Sequence, residues 1–160
     1  RTNWKEGYKR SGEEGHHRVV EYVFGFEKLK VWQLAKAFAV HIYEVTRAFP
    51  PDEKFGLISQ LRRASISIAS NLAEGSARQS MKHQAHFSQL AYSSLVEVVC
   101  QLEIALELGF MTSDQYKQIR SQASELSYMI NALQKSQKSP WKWLFLYVLL
   151  NLIKVINILI

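Results

Sequence analysis

The chain has 160 residues, 48% of them hydrophobic and 21% charged, enough for one sizeable core and too apolar for a disordered segment. Its one cysteine, Cys100, excludes an intramolecular disulfide framework and fits a reducing compartment; set inside an apolar run, it reads as a buried, inert thiol. The net charge of +6 is thinly spread, with five basic and four acidic groups in residues 1–25 and thirteen and ten in residues 26–138, so a single copy is no evident nucleic-acid binder, whereas symmetric copies would concentrate the charge.

Residues 1–25, RTNWKEGYKRSGEEGHHRVVEYVFG, show no sustained period and hold four of the seven glycines. An irregular lead-in is expected there, with a short strand or turn near Val19–Phe24 and no core of the kind a secretory signal needs. From Phe26 the pattern changes. Apolar side chains recur at Phe26, Leu29, Trp32, Ala35, Phe38, Ile42, Val45 and Phe49, the three- and four-residue steps of a helix.

Pro50-Pro51 stops that helix, and Asp52 is the expected N-cap of the next. The second helix buries Phe55, Ile58, Leu61, Ser65, Ile68, Ala69 and Leu72, and runs out near Gly75–Ala77. Ser80 then caps a third helix with Phe87, Leu90, Ala91, Ser94, Leu95, Val98, Leu102 and Ala105 inward, and Gly109 ends it. Thr112-Ser113-Asp114-Gln115 has the Thr-x-x-Gln spacing of a capping box. The fourth helix places Tyr116, Ile119, Ala123, Leu126, Met129 and Leu133 on one face. Four such helices with short connections predict an all-α fold, an antiparallel up-down-up-down four-helix bundle over residues 26–138.

Residues 139–160 form a hydrophobic C-terminal tail, expected to be helical. WKWLFLYVLLNLIKVINILI, residues 141–160, would span about 30 Å as a helix, the thickness of a bilayer core. Asn151, Lys154 and Asn157 interrupt it as a narrow polar stripe. Three readings stay open: a tail anchor in a membrane, an extra helix lying on the bundle, or sequence not native to the folded domain.

The stretch QLRRASISIASNLAEGSAR, residues 60–78, holds the residues of most interest. Ala64, Ser65, Ser67, Ala69, Ser70, Ala73 and Ala77 are small, which lets helix backbones approach closely. Glu74 precedes Arg78 by four residues, the favoured order for a helical ion pair. Asn71 suits a register-fixing amide, and with Glu74 and Gly75 it reads as a packing or assembly element. Arg62 and Arg63 project about 100° apart, so one can meet Glu97 or Glu103 while the other faces solvent or a subunit boundary. With Arg78, Lys82 and His83 they suggest a basic rim, and Arg62, Arg63, Arg78 and Lys82 are the candidate phosphate contacts.

Catalytic and metal chemistry find little support. His83 and His86 share a helix without closing ligands, and the one Glu-x-x-His is Glu14–His17 in the lead-in. No nucleophile elbow, phosphate loop or dinucleotide fingerprint is present, so no enzyme, cofactor or metal is expected. Trp32, Phe38 and Tyr43 have rings that stack on bases in other proteins; Trp32 and Phe38 lie on the apolar stripe and read as core, with Tyr43 beside it.

A family resemblance rests on particular residues: the Phe26-x-x-Leu29-x-Val31-Trp32-x-x-Ala35 start, Ile42-Tyr43, Phe49-Pro50, Phe55-Gly56-Leu57, Gln60-x-Arg62-Arg63-Ala64, and Ser67-Ile68-x-x-Asn71-x-Ala73-Glu74-Gly75. These, with the later FSQLAYSSLVEVVCQLEIALELGFM, resemble the four-helix-bundle, ribosomal-protein-like family encoded in intervening sequences of bacterial 23S ribosomal RNA genes. The likeness covers about residues 26–136. The family looks related to the accessory variability protein of retroelements, which works with a reverse transcriptase and RNA. The resemblance implies a bundle that assembles into rings, pentamers in particular, and in that family the usual chain corresponds to about residues 26–138. Residues 1–25 and 139–160 therefore read as additions. The expected function is a cytoplasmic, non-catalytic, homo-oligomeric adaptor for structured RNA or an RNA-handling enzyme. Two alternatives stand beside it: a protein–protein scaffold without nucleic acid, and a membrane-tethered bundle held through residues 141–160.

Overall fold

In the computed structural model the described residues are 22–138 and 147–151. Among them all regular structure is helical: α1 (Lys30–Val45), α2 (Leu57–Ser76), α3 (Met81–Glu107) and α4 (Ser113–Lys138). Residues 22–24 carry no regular structure, and the rest of the lead-in, including Glu14–His17, lies outside the described residues. So does most of the tail. Residues 147–151 are helical and exposed. Among the described residues no helix is long and apolar enough to cross a membrane.

The first helix is shorter than its apolar period. Leu29 is extended, with ψ of 116°, so the run from Phe26 breaks into a 3-10 turn (Gly25–Lys28), α1, and a second 3-10 turn (Thr46–Ala48). The turn before α2 corrects two expectations. Pro51–Phe55 is itself a 3-10 turn, and the N-cap of α2 is Gly56, not Asp52; the Glu53 carboxylate accepts from the Leu57 N–H at 2.7 Å. Because the α-helical ladder begins only after Gly56, Phe55 drops out of register with Ile58 and Leu61 and is 87% exposed.

The later boundaries follow the side-chain chemistry. Ser80 Oγ accepts from the His83 N–H at 3.2 Å and opens α3. Gly109, at φ of 73°, closes it in the left-handed conformation that glycine adopts without steric cost. Thr112 and Gln115 exchange bonds, the Thr112 N–H to Gln115 Oε1 at 2.8 Å and the Gln115 N–H to Thr112 Oγ1 at 3.2 Å, a complete capping box.

Helix α2 packs on α1 and α3, and α4 packs on α3 and α1. Leu29, Leu72, Ser88 and Leu133 surround one cavity, which brings the start of α1, the end of α2, the start of α3 and the end of α4 to one end. At the other, the rings of Phe49 and Phe110 lie 5.7 Å apart. Ile42, Leu61, Ile68, Leu95, Leu102, Ile119, Leu126 and Ile130 are fully buried between the helices, each contributing about 1.5–3 kcal/mol of transfer free energy before chain entropy is counted.

Two inward assignments on α3 are corrected. Leu90 is exposed at the edge of its stripe. Cys100 is exposed too, because Val98 and Leu102 are the buried pair and a residue two places on from a buried one points about 200° round the helix.

Candidate nucleic-acid interface

The small side chains of α2 face two neighbours. Ala64 and Ser65 are fully buried, and toward α3 the hydroxyls of Ser67 and Ser94 meet at 2.9 Å. Asn71 extends this polar line by donating to the Ser67 carbonyl at 2.8 Å and to Ser67 Oγ at 3.1 Å. Gly75 marks the closest approach: a Cβ there would sit 2.8 Å from Phe87 Cβ. Toward α1, Ala69 and Ala73 floor a groove of about 590 Å³ walled by Trp32, Val40, Tyr43 and Ile66, with Lys36, Glu44 and Arg47 along it. Trp32, expected in the core, is half-buried on this groove, with the Lys36 ammonium 5.2 Å from its ring.

The four basic candidates do not form one patch. Arg62 leans toward α1, donating through Nε to the buried Thr46 hydroxyl at 2.9 Å with its guanidinium 4.7 Å from the Tyr43 ring. Arg63 turns toward α3 and pairs with Glu97, one of the two carboxylates expected, whereas the contacts of Arg62 with Thr46 and Tyr43 were not expected. Arg78 lies just past the far end of α2; it pairs with Glu74 and covers the Phe87 ring at 4.7 Å. Lys82 follows in the first turn of α3. These surface pairs are each worth about 0–1 kcal/mol, so their use is to hold guanidinium groups in place.

Lys82 has company the sequence reading missed. With Met81, Ala85, His86 and Gln89 of α3 it lines a pocket of about 560 Å³ completed by Gln134, Gln137 and Lys138 of α4. His86 enters it and is not gathered into a metal site: among the described residues no three His, Cys, Asp or Glu side chains are placed to hold a metal. The signal for this pocket lay in tertiary packing: residues of the first turns of α3 and the last turns of α4 line it together.

One ionisable group is displaced. Tyr116, at the start of α4, donates its hydroxyl to Glu103, and this bond, with some burial and the carboxylate's charge, holds its pKa above the ordinary tyrosine value.

With this geometry in view, the comparisons with known proteins are specific. The family model for the 23S rRNA-intervening sequence protein matches residues 27–132. A crystal structure of a protein of unknown function from the S23 ribosomal protein family of Bacteroides thetaiotaomicron is similar to this chain at 23% identity and a TM-score of 0.60, covering 66% of this chain and 98% of its own. That likeness speaks for the fold alone. No curated protein matches the chain.

Proposed function

This chain belongs to the 23S rRNA-intervening sequence protein family, and from that membership we propose a cytoplasmic, non-catalytic, homo-oligomeric antiparallel four-helix bundle that acts as an adaptor for structured RNA or an RNA-handling enzyme. The observation that carries the RNA reading is the fixing of the arginines on and just after α2. Arg62 is held by Thr46 and Tyr43, Arg63 by Glu97 and Arg78 by Glu74 and Phe87. A guanidinium already held in place loses less entropy when it meets a phosphate, and its remaining N–H donors match a phosphate's oxygens.

Separated positive groups suit an RNA surface better than a small anion, because phosphates recur along the strand. In an oligomer, with a pentameric ring the form the resemblance favours, Arg62, Arg63, Arg78 and Lys82 repeat once per copy, and weak contacts combine. Asn71, Glu74 and Gly75 serve packing in this scheme: Asn71 and Gly75 set the α2–α3 approach and Glu74 positions Arg78. The antiparallel arrangement is supported by the two sets of helix ends that meet at opposite ends of the molecule.

The experiment is binding of the full chain to a structured 23S rRNA fragment at two salt concentrations, beside a variant with Arg62, Arg63, Arg78 and Lys82 all replaced by alanine. Affinity that falls steeply with salt, and a shallower slope in the variant by roughly 0.7–0.9 per lost phosphate contact, supports the proposal. Absent or salt-insensitive binding sinks it and leaves a protein-binding scaffold as the better account.

A further inference from the structure

The α3–α4 pocket has chemistry of its own. Its positive groups are Lys82 and Lys138, and among the described residues no carboxylate lines it. The N-terminus of α3 adds partial positive charge beside Lys82, while Lys135 and Lys138 in the last turn of α4 offset that helix's carbonyl end. One region of the pocket therefore favours an anion.

The rest of it reads a planar, hydrogen-bonding body. Gln137 is only 7% exposed, and its Oε1 accepts from Ser88 Oγ at 2.7 Å, which leaves its amide nitrogen as the spare end. Gln134 donates to Gln89 Oε1 at 2.8 Å and to the Ala85 carbonyl at 3.4 Å. Among the described residues, two amide donors (Gln89 and Gln137 Nε2) and one acceptor (Gln134 Oε1) are thus left without a protein partner. Each is fixed in orientation by the bond its other end makes. A mixed donor–acceptor set is what a base edge requires, and Met81, Ala85 and the His86 ring supply apolar and stacking surface beside it. The volume suits a molecule of that size.

We propose that this pocket binds a phosphorylated nucleotide, the phosphate on Lys82 and Lys138 and the base among His86 and the three glutamines. The site stands on its own chemistry and does not require the RNA reading. The nucleotide has two possible sources, a free mononucleotide or an unpaired residue of an RNA strand, and the test separates them.

The test is an NMR titration of the isotopically labelled full chain with the four 5′-mononucleotides, the matching nucleosides and inorganic phosphate. Saturable shifts confined to Met81–Gln89 and Gln134–Lys138 are expected, with at least one mononucleotide binding about ten-fold tighter than its nucleoside or phosphate alone. The exposed-site variant Lys138→Ala should weaken it about five-fold or more, as should Gln134→Leu. No saturable shift up to about 10 mM, phosphate binding as tightly as any mononucleotide, or indifference to both variants overturns the proposal.

The same two variants are then measured against RNA, with Arg62→Ala/Arg63→Ala as the reference. RNA affinity lost with Lys138→Ala and Gln134→Leu identifies the strand as the source. RNA affinity unchanged in them, while mononucleotide binding is lost, identifies free nucleotide. A complete failure to bind RNA removes the adaptor reading and leaves the mononucleotide arm to decide the pocket.

Discussion

Arg62 Nε and Thr46 Oγ1 are 2.9 Å apart, and the bond joins the end of α1 to the start of α2. The Thr46 hydroxyl gives its own proton to the Ile42 carbonyl at 2.8 Å, so it meets Arg62 as an acceptor. Thr46 is 1% exposed, and replacing it with the isosteric valine keeps the volume while leaving the Arg62 N–H without its partner. Thr46→Val should cost about 1–3 kcal/mol in urea unfolding. Under the proposed RNA role it should also weaken RNA binding by freeing the guanidinium that Thr46 and Tyr43 hold. A variant that loses stability but binds RNA unchanged would show the bond to be structural only.

Gly75 offers a cleaner test of the α2–α3 contact. Its φ is not positive, so alanine there meets no backbone strain and gains about 1 kcal/mol of helix propensity. Against that, the new methyl would lie 2.8 Å from Phe87 Cβ, an atom fixed to the backbone that no rotamer change can move. Gly75→Ala should therefore destabilise by a net of roughly 1–2 kcal/mol, read as a lower thermal midpoint. An unchanged or raised midpoint would mean that the two helices separate easily.

The helices of this chain were legible because their apolar residues keep a 3.6-residue period, and the caps because Ser80, Gly109 and Thr112–Gln115 have one plausible use each. What periodicity concealed was where the helical ladder starts. Phe55 fits the α2 stripe by spacing, yet the 3-10 turn before Gly56 rotates it out. Cys100 sits in the apolar string VEVVCQ, where hydrophobicity alone could not show that position 100 faces away from Val98. At the site, the offset of about 100° between Arg62 and Arg63 made the pairing of one of them with Glu97 legible, while the contact of Arg62 with Thr46 was not, because it depends on how the turn after α1 packs on α2. The α3–α4 pocket was hidden because Lys82 and Lys138 are 56 positions apart and only the packing of α3 on α4 joins them.

Tyr116 gives a prediction with a definite sign. Its raised pKa means that the folded state holds the phenol proton more tightly than the unfolded chain does. The stability from its bond to Glu103 is complete below the unfolded tyrosine value of about 10 and is lost as pH rises through the higher folded value. In Glu103→Gln the hydrogen bond from the Tyr116 hydroxyl weakens and the carboxylate charge disappears. Ring-proton NMR should show Tyr116 of that variant titrating closer to the ordinary value. Coincident titration of Tyr116 in both proteins would mean that the hydrogen bond is not populated in solution.

Among the described residues two apolar surfaces are exposed, and they bear on the proposed homo-oligomer. One is the α1–α2 groove, where Ile66 is 46% exposed; the other is a ridge on α3 carrying Val96, Ile104 and Leu108, with Ile104 47% exposed. Val96, Cys100, Ile104 and Leu108 are each four residues apart, so they form a continuous row on one helix face. A groove and a ridge on one chain suit a head-to-tail contact, which closes into a ring when the rotation between copies allows it. If the proposed homo-oligomer forms in that arrangement, Ile66→Glu and Ile104→Glu should each disrupt it in sedimentation velocity. Mixed together, they should pair once and stop, because the intact ridge of the first fits the intact groove of the second and no further copy can add. Dimers formed only in the mixture would establish the head-to-tail contact, whereas an assembly that survives Ile104→Glu would place the interface on the groove alone.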